Sequence, residues 1–152
     1  MRTDQATFTT IHSYFVWDHQ RLDGQLVDLK RRVDRGNLAG ARKLLGHYRR
    51  GIQRHLQIEE SVIFQTVASE RTGAARVATS AVQDDHAKIL IPVEEMARAL
   101  EAEDVAAFRA AYARLAALMP LHNQKEEQAL YPVDALVGAA EAERIVARLR
   151  SE

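Results

Sequence analysis

His55-Leu-Gln-Ile-Glu59-Glu60-Ser-Val62-Ile63-Phe64 and His122-Asn-Gln-Lys-Glu126-Glu127-Gln-Ala129-Leu130-Tyr131 share one pattern, His-x-Gln-x-Glu-Glu-x-x-apolar-aromatic, and their reading decides the fold. Each is preceded, 36 residues upstream, by a histidine that follows an aspartate, in Asp18-His19 and Asp85-His86. The two sets are offset by 67 residues. A repeat of this kind implies a duplicated unit whose histidines and glutamates converge on one place. In each His-x-x-x-Glu the side chains stand at i and i+4, one turn apart and about 40° around a helix, so both reach the same point. Imidazole and carboxylate donors gathered at one point make it a metal site.

The apolar spacing on either side extends these turns into long helices. Phe8, His12, Phe15, His19, Leu22, Leu26, Leu29 and Val33 alternate by four and three and predict a first helix ending near Gly36. Asn37 is the expected N-cap of a second, with Ala41, Leu45, Tyr48, Ile52, His55, Glu59, Val62 and Thr66 on its seam and an end near Thr72-Gly73. A third carries Thr79, Val82, His86, Ile89, Val93, Met96 and Leu100. Asp104 caps a fourth, with Phe108, Tyr112, Leu115, Met119, His122 and Glu126 on one stripe and a stop at Tyr131-Pro132. Short links make consecutive helices antiparallel, so the expected fold is all-α, an up-down-up-down four-helix bundle with a short C-terminal helix over 133–150. Pro92 and Pro120 fall inside helices three and four, where each removes a backbone donor and is expected to kink its helix. The whole chain, 1–152, reads as a single domain.

Composition narrows the function. The 152 residues suffice to bury a core, and the lack of cysteine excludes thiolate zinc sites, iron–sulfur clusters and cysteine nucleophiles. Lys+Arg and Asp+Glu balance at 21 each, which argues against nucleic acid or an anionic membrane as partner. With no signal peptide or apolar run of membrane-spanning length, the protein is expected to be soluble and cytoplasmic.

On antiparallel helices His19, His55, Glu59, His86, His122 and Glu126 meet at one level of the core. Six ligands in two related sets suit two octahedral metals bridged by carboxylates better than one tetrahedral zinc. Iron is the preferred metal and manganese the alternative. Four imidazoles and two bridging glutamates fill about eight of twelve octahedral positions, an oxo or hydroxo bridge takes two more, and about one position per metal stays open for a small ligand.

With these residues in place, the chain resembles the hemerythrin-like, or HHE cation-binding, family over residues 10–132. That family's pattern of histidine, His-x-x-x-Glu, histidine, His-x-x-x-Glu is met by His19, His55 with Glu59, His86, and His122 with Glu126. The resemblance implies a four-helix bundle with a non-haem diiron centre. It also implies roles that include oxygen binding, oxygen or iron sensing, and handling of peroxide or nitric oxide. Oxygen carriers of this kind have a further histidine where Leu90 stands, and a carboxylate at the position of Glu127 rather than Glu126.

Further candidates lie close by. Glu60 and Glu127 read as solvated carboxylates or as acceptors for the far nitrogen of a ligating imidazole. Asp18 and Asp85 read as exposed helix charges, or as similar acceptors. Asp23, four residues after His19, is an outside candidate ligand. Tyr48 and Tyr112 point inward and are structural aromatics or phenolate ligands. His12 is a partly exposed residue near the bundle end, or a proton relay, and His47 belongs to the surface. Phe15, Leu22, Ile52, Ile89 and Met119 form the apolar surround. The expected function is a diiron protein binding dioxygen or a related small oxidant. The alternatives are a redox enzyme acting on hydrogen peroxide or nitric oxide and an iron-sensing or iron-sequestering module.

Overall fold

The computed structural model of the chain describes residues 8–66, 73–130 and 133–151, and no strand occurs among them. The helices are α1 (Ile11–Asp34), α2 (Leu38–Ile58) continued by a π-helical segment (Glu59–Phe64), α3 (Gly73–Glu101), α4 (Val105–Leu130), α5 (Val133–Val137) and α6 (Ala139–Ser151). Around the bundle α1 packs on α2, α2 on α3, α3 on α4 and α4 back on α1, which closes a four-helix ring. The expected end of the second helix near Thr72 lies outside the described residues.

The duplication extends into the loops. After α1, Gly36 adopts φ +73°, with the Asn37 amide donating to Arg32 and the Gly36 amide to Val33. Asn37 then caps α2 by accepting from the Gly40 amide at 2.9 Å. After α3, Glu103 adopts φ +55°, with the Asp104 amide donating to Ala99 and that of Glu103 to Leu100. Asp104 caps α4 through the Ala107 amide, also at 2.9 Å. Both turns therefore end one helix on a left-handed residue and begin the next on an Asx cap. The same 67-residue offset relates them.

The interior divides into three layers. Toward these loops lies an apolar cluster that includes Leu22, Leu29, Leu45, Ile52, Ile89, Met96, Phe108 and Leu115. At the other end Phe8, Ile11, Tyr14, Phe15, Ile63, Phe64 and Val82 pack with Val133, Val146 and Leu149 of the C-terminal helices. Between them lies the layer of buried histidines and glutamates. Full burial of each large aliphatic or aromatic side chain in the outer layers contributes roughly 1.5–3 kcal/mol.

Three expectations shift. The C-terminal segment is two helices broken at Gly138 (φ +76°), and it packs on α1. Asp134 of α5 accepts from the first-turn amides of Ile11 (2.9 Å) and His12 (3.2 Å), supplying the negative charge that the first turn of α1 lacks. Because α1 has this extra partner, its buried face broadens to include Ile11 and Tyr14, while His12 is half-buried, as expected near the bundle end. Past Glu59 the wider π turn moves the seam of α2 by one residue: Ile63 and Phe64 are buried where Val62 and Thr66 were expected. Pro92 and Pro120 fall inside α3 and α4, where the sequence places them.

Candidate metal centre

Asp18 and His19 come from α1, and His55 from the last turn of α2. Glu59 and Glu60 open the π segment, Asp85 and His86 lie midway along α3, and His122, Glu126 and Glu127 lie in α4. His19, His55, Glu59, His86, His122 and Glu126 are all 5% exposed or less. They fall into two groups whose donor atoms lie within 4.8 Å of one another: His19, His55, Glu59 and Glu126, and His86, His122, Glu59 and Glu126. Both glutamates belong to both groups.

The glutamate oxygens divide between the two histidine pairs. Glu126 Oε2 is 3.0 Å from His19 Nε2, while its Oε1 is 2.5 Å from His122 Nε2 and 3.5 Å from His86 Nε2. Glu59 places Oε1 2.9 Å from His55 Nε2 and Oε2 3.3 Å from His86 Nε2. Donors on one octahedral metal with bonds of about 2.1 Å are separated by about 3.0 Å along each edge, close to most of these spacings.

The hydrogen-bonding pattern also fits a cation. Both oxygens of Glu59, Oε1 of Glu126, and Nε2 of His86 and His122 are buried and make no hydrogen bond among the described residues, although each faces an opposite partner within 3.5 Å. Proximity without hydrogen-bond direction is expected of atoms aimed at a shared centre. His19 Nε2 and His55 Nε2 stand 3.2 Å apart. The Nδ1 of each ring faces a carboxylate as well, so a proton held there leaves Nε2 free to offer its lone pair to a cation. A metal ion accepts both. Without one, two buried carboxylates in an apolar core cost several kcal/mol each unless protons or imidazolium compensate.

Each of the four rings has a carboxylate on its outer side. His55 Nδ1 donates to Asp18 at 2.8 Å, His19 Nδ1 to Glu127 at 3.1 Å, and His86 Nδ1 to Glu60 at 3.0 Å, while His122 Nδ1 lies 3.6 Å from Asp85. The exposed reading of Asp18 is corrected: it is 1% exposed, packed between α1 and α2, where Arg21 and His55 share its two oxygens. Asp85 is likewise partly buried. Glu60 and Glu127 stay about half exposed while bonding their imidazoles.

These surroundings move the titrations together. Burial alone would lower the His55 ring, but Glu59, Asp18 and Glu126 outweigh it and hold it well above the ordinary imidazole value. His86, with burial again opposed by Glu126, Glu59 and Glu60, is raised to about 10. His19 is raised as well, against burial, chiefly by Glu126. Burial would raise Glu126, yet four facing imidazoles keep it well below the carboxylate range. Asp18, for which His55 and Arg21 outweigh burial, is also depressed.

The remaining candidates fall outside the two groups. Asp23 accepts a long hydrogen bond from Asn123 (3.4 Å), a buried polar residue that the spacing did not single out. Tyr48 is fully buried in the apolar cluster on the loop side, where burial first and the Asp23 charge second raise its phenol. It precedes His55 by two helical turns, about 10 Å along α2. Tyr112 is half-buried and stacks on Phe108, with ring centres 6.0 Å apart. Tyr14, missed from the sequence, is buried with its hydroxyl unpaired among the described residues. His12 lies in the first turn of α1, and the exposed His47 accepts from Arg50. Leu90 packs partly buried against the apolar core.

A family model for the hemerythrin HHE cation binding domain matches residues 7–151. No curated protein and no solved structure matches the chain. Together, the family match and the two buried His/Glu groups imply a bound metal ion.

Proposed function

Since the chain belongs to the hemerythrin HHE cation-binding family, we propose that it is a non-haem diiron protein that binds dioxygen or a related small oxidant. The observation that carries this reading is the division of Glu59 and Glu126, each with one oxygen toward each histidine pair. Carboxylates so placed would bridge two metals, with two imidazole nitrogens for each. When bound, a pair of iron ions supplies electrons and open coordination positions for a small ligand.

The chain's own groups prepare that chemistry. Outer carboxylates hold the Nδ1 protons of His19, His55 and His86, which aims each Nε2 inward and raises its basicity. Phe15 stands edge-on to His55 and Phe64 stacks on His86, each with ring centres 5.5 Å apart. With Leu22, Ile52, Ile89 and Met119 they limit water at the centre. Among the described residues no helix is long and apolar enough to cross a membrane.

Leu90 favours a second reading. A fifth imidazole at that position, as in the oxygen carriers the chain resembles, would saturate one metal. Its replacement by a packed leucine leaves room for turnover of hydrogen peroxide or nitric oxide. The test is anaerobic loading with iron(II), elemental analysis, and exposure to air. Reversible binding predicts about two metal ions per chain and visible absorption that disappears when dioxygen is removed. Irreversible oxidation in air, together with consumption of added hydrogen peroxide or nitric oxide, would decide for the enzyme. Failure to take up metal would overturn both readings.

A further inference from the structure

The outer carboxylates differ across the pseudo-twofold. In the first half Asp18 divides its oxygens, Oδ1 accepting from Arg21 at 2.7 Å and Oδ2 from His55 Nδ1 at 2.8 Å. In the second half the equivalent Asp85 gives its Oδ2 to Lys125 Nζ at 2.9 Å. That same oxygen stands 3.6 Å from His122 Nδ1, beyond hydrogen-bond length. His122 Nδ1 is left buried without a hydrogen bond among the described residues.

Two residues account for the difference. Arg21 of the first half corresponds to Lys88 of the second, whose Nζ approaches Asp85 Oδ1 only to 4.0 Å. Ile58, buried three residues after His55, corresponds to Lys125, three residues after His122. In the first half an arginine holds the aspartate from behind and an apolar residue leaves its second oxygen to the imidazole. In the second half a lysine on the histidine's own helix occupies that oxygen.

We infer that the two metal positions are unequal, the His19/His55 position filling first and the His86/His122 position being the weaker and more exchangeable. Lys125 is the positioning residue that sets the difference, by drawing Asp85 away from His122. An imidazole whose outer N–H bonds a carboxylate is held in orientation and is the stronger donor, and losing such a partner typically costs 10–100-fold in metal affinity. Among the described residues His122 is the one of the four rings without that bond. The inference rests on the reading that the two groups hold two metals.

The test is an anaerobic titration of metal-free protein with iron(II) against a competing chelator. The wild type should fill in two steps of one metal each, separated by about tenfold or more. Lys125→Ile, which restores the residue of the first half, should tighten the weaker step by roughly five- to tenfold and leave the tighter one in place. Lys125→Gln should move it in the same direction. His122→Ala should abolish the weaker step and keep the tighter, and His55→Ala should do the reverse. Equal steps in the wild type, or a melting temperature that shifts in both Lys125 variants while the ratio of steps does not, would overturn the inference and leave the two-metal reading intact. Absence of any binding step would overturn that reading itself.

Discussion

Asp18→Asn isolates what a carboxylate behind an imidazole contributes. The substitution preserves size and shape at a position 1% exposed, where one oxygen accepts from Arg21 and the other from His55. An amide has only one acceptor, so in either orientation its NH2 group faces a donor. If it faces His55, the ring satisfies it only by moving its proton from Nδ1 to Nε2, the nitrogen that must be bare toward the metal. Affinity at the His19/His55 position should therefore fall 10–100-fold, about 1.4–2.7 kcal/mol. Metal-free protein should also lose about 1.5–3 kcal/mol of stability, the worth of a hydrogen bond to a charged group. Chelator competition measures the first and thermal unfolding of the metal-free protein the second. Asp28→Asn is the control: its bond with Arg31 has the same i, i+3 spacing, but both side chains are 55% exposed, so neither quantity should move appreciably. A folded Asp18→Asn protein that binds metal within about twofold of the wild type would refute the reasoning.

Gly36→Ala should destabilise the chain by about 1 kcal/mol, lowering the melting temperature by about 2–4 °C without changing metal affinity. Its φ is +73° and a Cβ there meets nothing within 4 Å, so only the backbone cost remains; an unchanged melting temperature would contradict it. Tyr48→Phe should retain full metal content and the same visible spectrum, since its hydroxyl is buried in the apolar layer. Loss of an absorption band in this variant would make the phenol a ligand. In metal-free protein the raised values of His19, His55 and His86 stabilise fully below about pH 6.5, and that contribution is lost as pH climbs, ending for His86 near 10. Glu126 and Asp18, being depressed, contribute above the ordinary carboxylate range and lose that contribution as pH falls through their folded values. The melting temperature in chelator should thus decline from pH 7 toward 10 while metal affinity rises, because metal replaces the same protons. An affinity flat across that interval would exclude the competition.

What could be read from the chain was whatever depends on period. The i, i+4 spacing of His55 with Glu59 and of His122 with Glu126 put each pair on one helix face, and the helices and their apolar seams followed from the same arithmetic. Period does not report how many neighbours a helix has. Asp18 reads as an exposed charge beside the seam, and is buried because the side of α1 that carries it faces the His55 ring of α2. The π turn at Glu59–Phe64 leaves no mark in spacing either, since it arises where one residue more than the α period allows is needed to seat Glu59 and still bury Ile63 and Phe64. Partners of Nδ1 atoms depend on helix rotation, so Glu60 and Glu127 could be named as acceptors without their histidines being identified.

The sharing of Glu59 and Glu126 has a mechanical consequence. Each group takes three donors from its own half of the chain and one from the other, and His19 and His86 also receive their outer carboxylates across that divide. The exchange is reciprocal, as in a symmetric dimer fused into one polypeptide. Neither half holds a complete donor set, so bound metal would act as a rivet through the seam. If the chain were cut between its halves, metal would add to an association that the apolar layers already favour, and the two fragments should hold each other more tightly with metal than in chelator.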